Sequence, residues 1–140
     1  MHKKEIIHIY DTAEEAVFPE GSRVMLICVN RTIEDPTLTL LDAVRYSWKI
    51  SHDRAENAEY VLAVAHGLIV DVFEAERPWL EATKEIFSEI PERHGNWKRQ
   101  DGRWGFRGRQ APENVRKRYV HKRVPDEPRG HGSPLRYVGV

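Results

Sequence analysis

Tyr60-Val61-Leu62-Ala63-Val64-Ala65-His66-Gly67-Leu68-Ile69-Val70-Asp71-Val72-Phe73-Glu74-Ala75 decides the fold class. Two apolar, β-rich runs flank a His66-Gly67 pair. Glycine supplies the positive φ that a two-residue hairpin loop demands, so the pattern predicts antiparallel strands over 60–65 and 68–75. A lone hairpin is unstable in water and must join a larger sheet. Upstream, Val24-Met25-Leu26-Ile27-Cys28-Val29 is a continuous apolar run and reads as a central strand buried on both faces.

Between these strands the spacing changes. Asn30 to Pro36 reads as a loop, and Thr37 is placed to cap a helix. Leu38, Leu41, Val44 and Trp48 recur at three- and four-residue steps, one apolar stripe of a helix over 37–48. Ser51 to Asn57 is polar and reads as a short helical turn. At the start, Glu5-Ile6-Ile7-His8-Ile9-Tyr10 predicts a strand and Asp11 to Ala16 a capped helical turn.

Downstream, Pro78-Trp79 opens a helix expected to reach Ile90, where Pro91 stops it. Arg103-Trp104-Gly105-Phe106-Arg107 alternates polar and aromatic residues, as a half-buried strand should. Pro112 starts a helix near 112–120 in which Val115 and Tyr119 share a face. Leu135 to Val138 reads as a closing strand. The expected fold is α+β: a curved, mainly antiparallel sheet centred on 24–29 and 60–74 with flanking helices. Residues 1–125 are expected to form one domain, and 126–140 its Pro/Gly-rich loop and C-terminal strand or tail.

The chain has 140 residues, a one-domain length, with 40% hydrophobic and 31% charged content typical of a globular protein. No apolar run approaches the ~18 residues of a membrane span. The opening Met1-His2-Lys3-Lys4-Glu5 lacks a hydrophobic segment, so no signal peptide is expected. Cys28 is the single cysteine and excludes an internal disulfide framework. A reduced, cytoplasmic setting is the expectation, with Cys28 as a buried filler. Net charge is zero but polarised: residues 1–90 balance to −8 and residues 91–140 to +8. The basic part either faces an anionic partner or is neutralised by packing on the acidic part.

No local pattern marks a catalytic centre. The seven histidines include no pair at zinc-ligand spacing, and there is no Walker loop or nucleophile elbow. No metal and no cofactor are expected. Asp71 and Glu74 are the nearest approach to a nuclease pair, but three residues apart they point to opposite faces of a regular strand. Gly102, Gly105 and Gly108 lie in strand context and read as relief for close packing.

Aromatic and basic residues carry the functional expectation. Trp48, Trp79, Trp97 and Trp104 each lie beside or near a cation: Lys49, Arg77, Lys98 and Arg103. An indole next to a cation suits a stacked base with its phosphate. Trp48 and Trp104 equally fit core positions at the edge of the sheet. Arg99 to Arg123 holds nine cations interleaved with Trp104, Phe106 and Tyr119, as a nucleic-acid groove would. Arg103, Arg107, Arg109, Arg116, Arg118 and Lys122 are the expected backbone contacts.

The order strand, helix ending in Tyr46-Ser47-Trp48, strand hairpin, Trp-containing loop, basic strand and helix resembles the PUA-like superfamily, with its EVE, YTH and ASCH domains. The resemblance covers roughly residues 23–125 and rests on element order. It implies a pseudo-barrel fold and an aromatic cage for a modified base. Trp48 and Trp79 would be cage walls, Trp97 or Trp104 a third, and Asn30, Ser47 and Lys49 hydrogen-bonding partners. Tyr60 to Val64, Gly67, Arg103 to Phe106, Ala111-Pro112 and Lys122-Arg123-Val124-Pro125 also resemble small bacterial and phage proteins of unassigned function, which implies no chemistry.

The reading that follows is a non-enzymatic binding domain for nucleic acid, a modified base or a nucleotide. The alternatives are a protein-interaction or homo-oligomeric module, such as a phage-encoded inhibitor, and a small enzyme acting on nucleic acid. No membrane partner is expected.

Overall fold

The computed structural model describes residues 2–46, 48–90, 102–125 and 135–140. Helix α1 spans Lys3–Thr12 and strand β1 Val24–Cys28. Helices α2 (Leu40–Arg45) and α3 (His52–Asn57) follow, then β2 (Tyr60–Ala65) and β3 (Leu68–Ala75). The chain continues through β4 (Leu80–Glu81), β5 (Trp104–Gly105), β6 (Gly108–Gln110), α4 (Glu113–Tyr119) and β7 (Leu135–Val138).

The architecture is α+β. Five strands form one sheet in the order β6-β3-β2-β1-β7, and β4 and β5 pair separately. The hairpin of β2 and β3 forms where the His66-Gly67 turn predicted it. Both turn residues have positive φ, 51° and 81°. The sheet is mixed, because β1 runs parallel to β2, with Val24 opposite Tyr60 and Cys28 opposite Val64. It is open, so the expected pseudo-barrel is corrected: β6 and β7 are its two edges. Parallel neighbours need a crossover, and α2 and α3 supply it.

Alternation along the central strands builds two cores. Met25, Ile27, Val61 and Ala63 face one, with Ala43 and Val44 of α2 and Ala55 of α3. Val24, Leu26, Leu62 and Val64 face the other, against Val115 and Tyr119 of α4. A smaller cluster joins Tyr46, Ala82, Phe87 and Ile90.

Three local expectations are corrected. Residues 5–10 are helical: Ile6, Ile9 and Tyr10, at i, i+3 and i+4, pack on the first core, and the His2 side chain accepts the Lys4 N–H. The second helix is shorter, capped by Thr39 through Asp42 N–H, because Thr37 is held by Asp35 Oδ1. Residues 82–90 form turns instead of a helix, and Thr83 accepts the Ile86 and Phe87 N–H groups. The glycine expectation fits at two positions. A Cβ on Gly105 would lie 2.7 Å from Arg45 O, and one on Gly108 2.2 Å from Glu74 O.

An arginine pair fastens these turns to α2. Arg45, 8% exposed, donates to Asp42 Oδ1 at 2.7 Å and to Glu89 Oε1 at 2.9 Å. Arg107 donates to the same Glu89 oxygen at 2.8 Å, and both guanidinium groups lie near the Phe87 ring. Burial pushes the Glu89 carboxyl up, but its backbone hydrogen bond and the two arginines outweigh that and hold it below the ordinary 4.5. A depressed folded value means that this stabilisation is present above the unfolded value and fades as pH falls through the folded one. Glu89→Gln is therefore expected to lower Tm at neutral pH, with a gap to wild type that closes as pH falls below 4.5. Thermal melts of both proteins across that range check it, and a gap independent of pH would contradict it.

Candidate functional site

The parallel pair places the site. In open sheets ligands collect beyond the carboxyl ends of parallel strands, because the loops there diverge and leave a crevice. Beyond β1 the chain continues as Val29-Asn30-Arg31-Thr32. Val29 N–H still bonds Val64 O at 2.8 Å, and Asn30 Oδ1 accepts the His66 N–H at 2.7 Å. That bond ties the end of β1 to the hairpin turn and commits the amide oxygen. What remains to the Asn30 side chain is its Nδ2 donor pair.

A cavity of about 480 Å³ opens here, lined chiefly by Cys28, Asn30, Arg31, Thr32, Tyr46 and Trp48. The size is that of a small-molecule pocket. Among the described residues Arg31 is the only charged side chain in its lining, and it is exposed. Among the described residues no ion pair holds Arg31. Cys28 is half-buried and forms part of the wall, which corrects its reading as a buried filler.

Trp48 is held in three ways. Its backbone N–H bonds Trp104 O at 2.9 Å, its carbonyl accepts Trp104 N–H at 2.8 Å, and its indole Nε1 donates to Val44 O at 2.6 Å. Val44 lies in the last turn of α2, where carbonyls lack helical partners, so the indole satisfies one. The ring's polar handle is thus used internally, and the ring is fixed at the cavity wall.

The three described tryptophans, Trp48, Trp79 and Trp104, do not form a cage. Trp79 is 2% exposed and packs on Phe106 with ring centroids 4.8 Å apart. Its backbone N–H donates to Glu56 Oε1. A ring so enclosed presents no face to a ligand, so its expectation as a cage wall is corrected to a core role. Trp104 stacks on His52 at 4.2 Å, and His52 Nε2 lies 3.2 Å from Glu56. Trp104 meets Trp48 through backbone bonds and does not line the cavity. Trp97 and Ser47 lie outside the described residues. Lys49 is exposed, next to Trp48 in sequence.

The basic residues are dispersed. Arg116 donates to Asp71 Oδ1 at 2.8 Å, and Asp71 also accepts from Gln110 and Val72 N–H. The hydrogen bond and charge of Asp71 raise the Arg116 guanidinium above its ordinary value. Arg107 pairs with Glu89 and Arg109 with Glu74. Lys122 approaches Glu14 at 3.7 Å. Arg103 is half-buried on the small sheet, where its carbonyl accepts Ala82 N–H. Arg118 is exposed on α4, on the opposite sheet face from the cavity. Four cations of the basic part thus meet carboxylates of the acidic part, which is the packing alternative for the charge asymmetry. Asp71 and Glu74 are each engaged with a different arginine. Among the described residues no three His, Cys, Asp or Glu side chains gather as a metal would need.

Of the expected site residues, the structure brings Asn30 and Trp48 into one cavity. Arg31, Thr32 and Tyr46 join them without having been named as site residues in the sequence, and so does Cys28, expected there as a buried filler. The parallel pairing of β1 and β2 is the signal that would have pointed to the Asn30-Arg31-Thr32 loop. No family model, no curated protein and no solved structure matches the chain. No described helix is long and apolar enough to cross a membrane.

Proposed function

We propose that the protein is a non-enzymatic binding domain for a nucleobase, presented as a nucleotide or within single-stranded nucleic acid. The observation that carries this is the cavity beyond β1, where a fixed indole, an oriented amide and one cation converge. Trp48 offers a wall for base stacking, Asn30 donates to a base edge, and Arg31 meets the phosphate. A modified base remains within this reading, with Trp48 and Tyr46 as the aromatic residues of the wall.

The basic part of the chain has a reduced role. Arg107, Arg109, Arg116 and Lys122 have carboxylate neighbours, and their first contribution is to the fold. Backbone contacts then fall to exposed cations, Arg31 in the cavity lining and Lys49 next to Trp48 in sequence. Few phosphate contacts mean a shallow salt dependence, about 0.7 log units per contact on single strands.

The test is a titration with modified and unmodified single-stranded oligonucleotides at two salt concentrations. Trp48→Ala is expected to weaken binding by about 1–3 kcal/mol, the usual worth of a stacked base. Arg31→Ala is expected to flatten the salt slope by about one phosphate contact. Absence of binding at low salt would overturn the reading and favour the protein-interaction alternative.

A further inference from the structure

A second cavity of about 380 Å³ adjoins the first. The two share Thr32 and Ala43 in their linings. They are therefore neighbours across one side-chain layer. The walls of the second are largely apolar, from Ile33, Leu38, Leu40 and Val70. Its charge is opposite to that of the first. Glu34 and Asp35 line it, and Glu34 Oε1 accepts the Lys3 N–H at 2.6 Å, with His2 Nδ1 3.7 Å away. Asp35 Oδ1 is occupied by Thr37.

This contrast restricts an occupant. An anion is repelled by the two carboxylates and attracted by Arg31, so a phosphate belongs on the Arg31 side. What fits the second cavity is a flat, uncharged ring whose faces meet the aliphatic walls and whose edge donates to a carboxylate. An adenine, cytosine or guanine edge does so through its exocyclic amine, whereas uracil and thymine have no amine and flank their single N3–H with keto oxygens that a carboxylate repels. Arg31 immediately precedes the shared wall residue Thr32, which suits a phosphate linking two adjacent bases.

We propose that the two cavities form one site for two successive nucleotides of a single strand. The first base stacks on Trp48, the joining phosphate meets Arg31, and the second base, amino-bearing by preference, enters the Ile33–Leu40 cavity. This rests on the base-binding reading above and deepens it.

The experiment compares a mononucleotide, dinucleotides and trinucleotides by titration against the full chain at low salt. Affinity is expected to rise about tenfold or more from one nucleotide to two when the second base is adenine, cytosine or guanine, and less for uracil or thymine. The third nucleotide adds little. Leu38→Trp, at a half-buried loop position, fills the second cavity and is expected to abolish the gain while leaving mononucleotide affinity unchanged. Glu34→Gln, on the exposed loop, is expected to remove the preference for amino-bearing bases without filling the cavity. Equal affinity for one and two nucleotides, or a gain that survives Leu38→Trp, would overturn this inference alone. Failure of the mononucleotide and every longer strand to bind would overturn the base-binding reading with it.

Discussion

Trp79→Ala is expected to destabilise the fold by about 3–5 kcal/mol, the cost of deleting a large buried aromatic. The ring is 2% exposed, belongs to the core between the sheet and the crossover helices, and packs on Phe106. Truncation removes that contact and leaves a cavity whose walls are set by the sheet and cannot collapse freely. Domains of this size are stable by only about 5–15 kcal/mol, so the variant loses a large share of its margin. Urea unfolding should show a lower midpoint with an unchanged slope. Trp79→Phe should recover part of the loss by refilling the site. A Trp79→Ala variant within experimental error of wild type would contradict the core placement. Any loss of ligand binding in that variant reports on folding, and among the described tryptophans Trp48, in the cavity wall, offers the clean test of stacking.

Asp71→Ala is the second large effect, about 2 kcal/mol of stability. Asp71 is 7% exposed and accepts hydrogen bonds from Arg116, Gln110 and Val72 N–H, joining α4 and β6 to β3. Arg116 keeps partial access to water once the carboxylate is gone, which limits the cost below that of a fully buried pair. Arg116→Ala is expected to lower Tm in turn, since it leaves Asp71 without its ionic partner. Chemical denaturation of each single variant and of the double variant gives the coupling energy directly. Additive losses would show that the two side chains act independently.

The hairpin was legible because its signal is local: two apolar runs and a glycine at the turn, with no competing pattern. The strand at 24–29 was legible for the same reason, but its direction relative to β2 was not. That depends on α2 and α3 crossing the sheet, a long-range fact that no short pattern encodes. Residues 5–10 carry both periodicities, and the contact of Ile6, Ile9 and Tyr10 with the core selects the helix.

At the site, Asn30 stood out only through the resemblance in element order, and Trp48 also by chemistry, as an indole near a helix end. Arg31 and Thr32 did not, because an exposed loop residue gains meaning only from what faces it. Trp79 misled because a tryptophan at the Pro78 start of an expected helix, with Arg77 and Glu81 nearby, looks exposed, whereas here it packs into one core with Phe106. The basic part left two readings open, an anionic partner or neutralisation by packing. A charge count cannot show that Arg107, Arg109, Arg116 and Lys122 have carboxylate neighbours from the acidic part.

The most direct test of the central claim is the amide and indole spectrum of ¹⁵N-labelled protein during titration with a short single-stranded oligonucleotide. The four indole signals report on the four tryptophans separately. The Trp48 indole and the backbone amides of Asn30, Arg31 and Thr32 are expected to shift together and saturate at one ligand concentration, while the Trp79 indole stays in place. Shifts confined to α4 and β6, with the Asn30–Thr32 amides and the Trp48 indole unmoved, would contradict it.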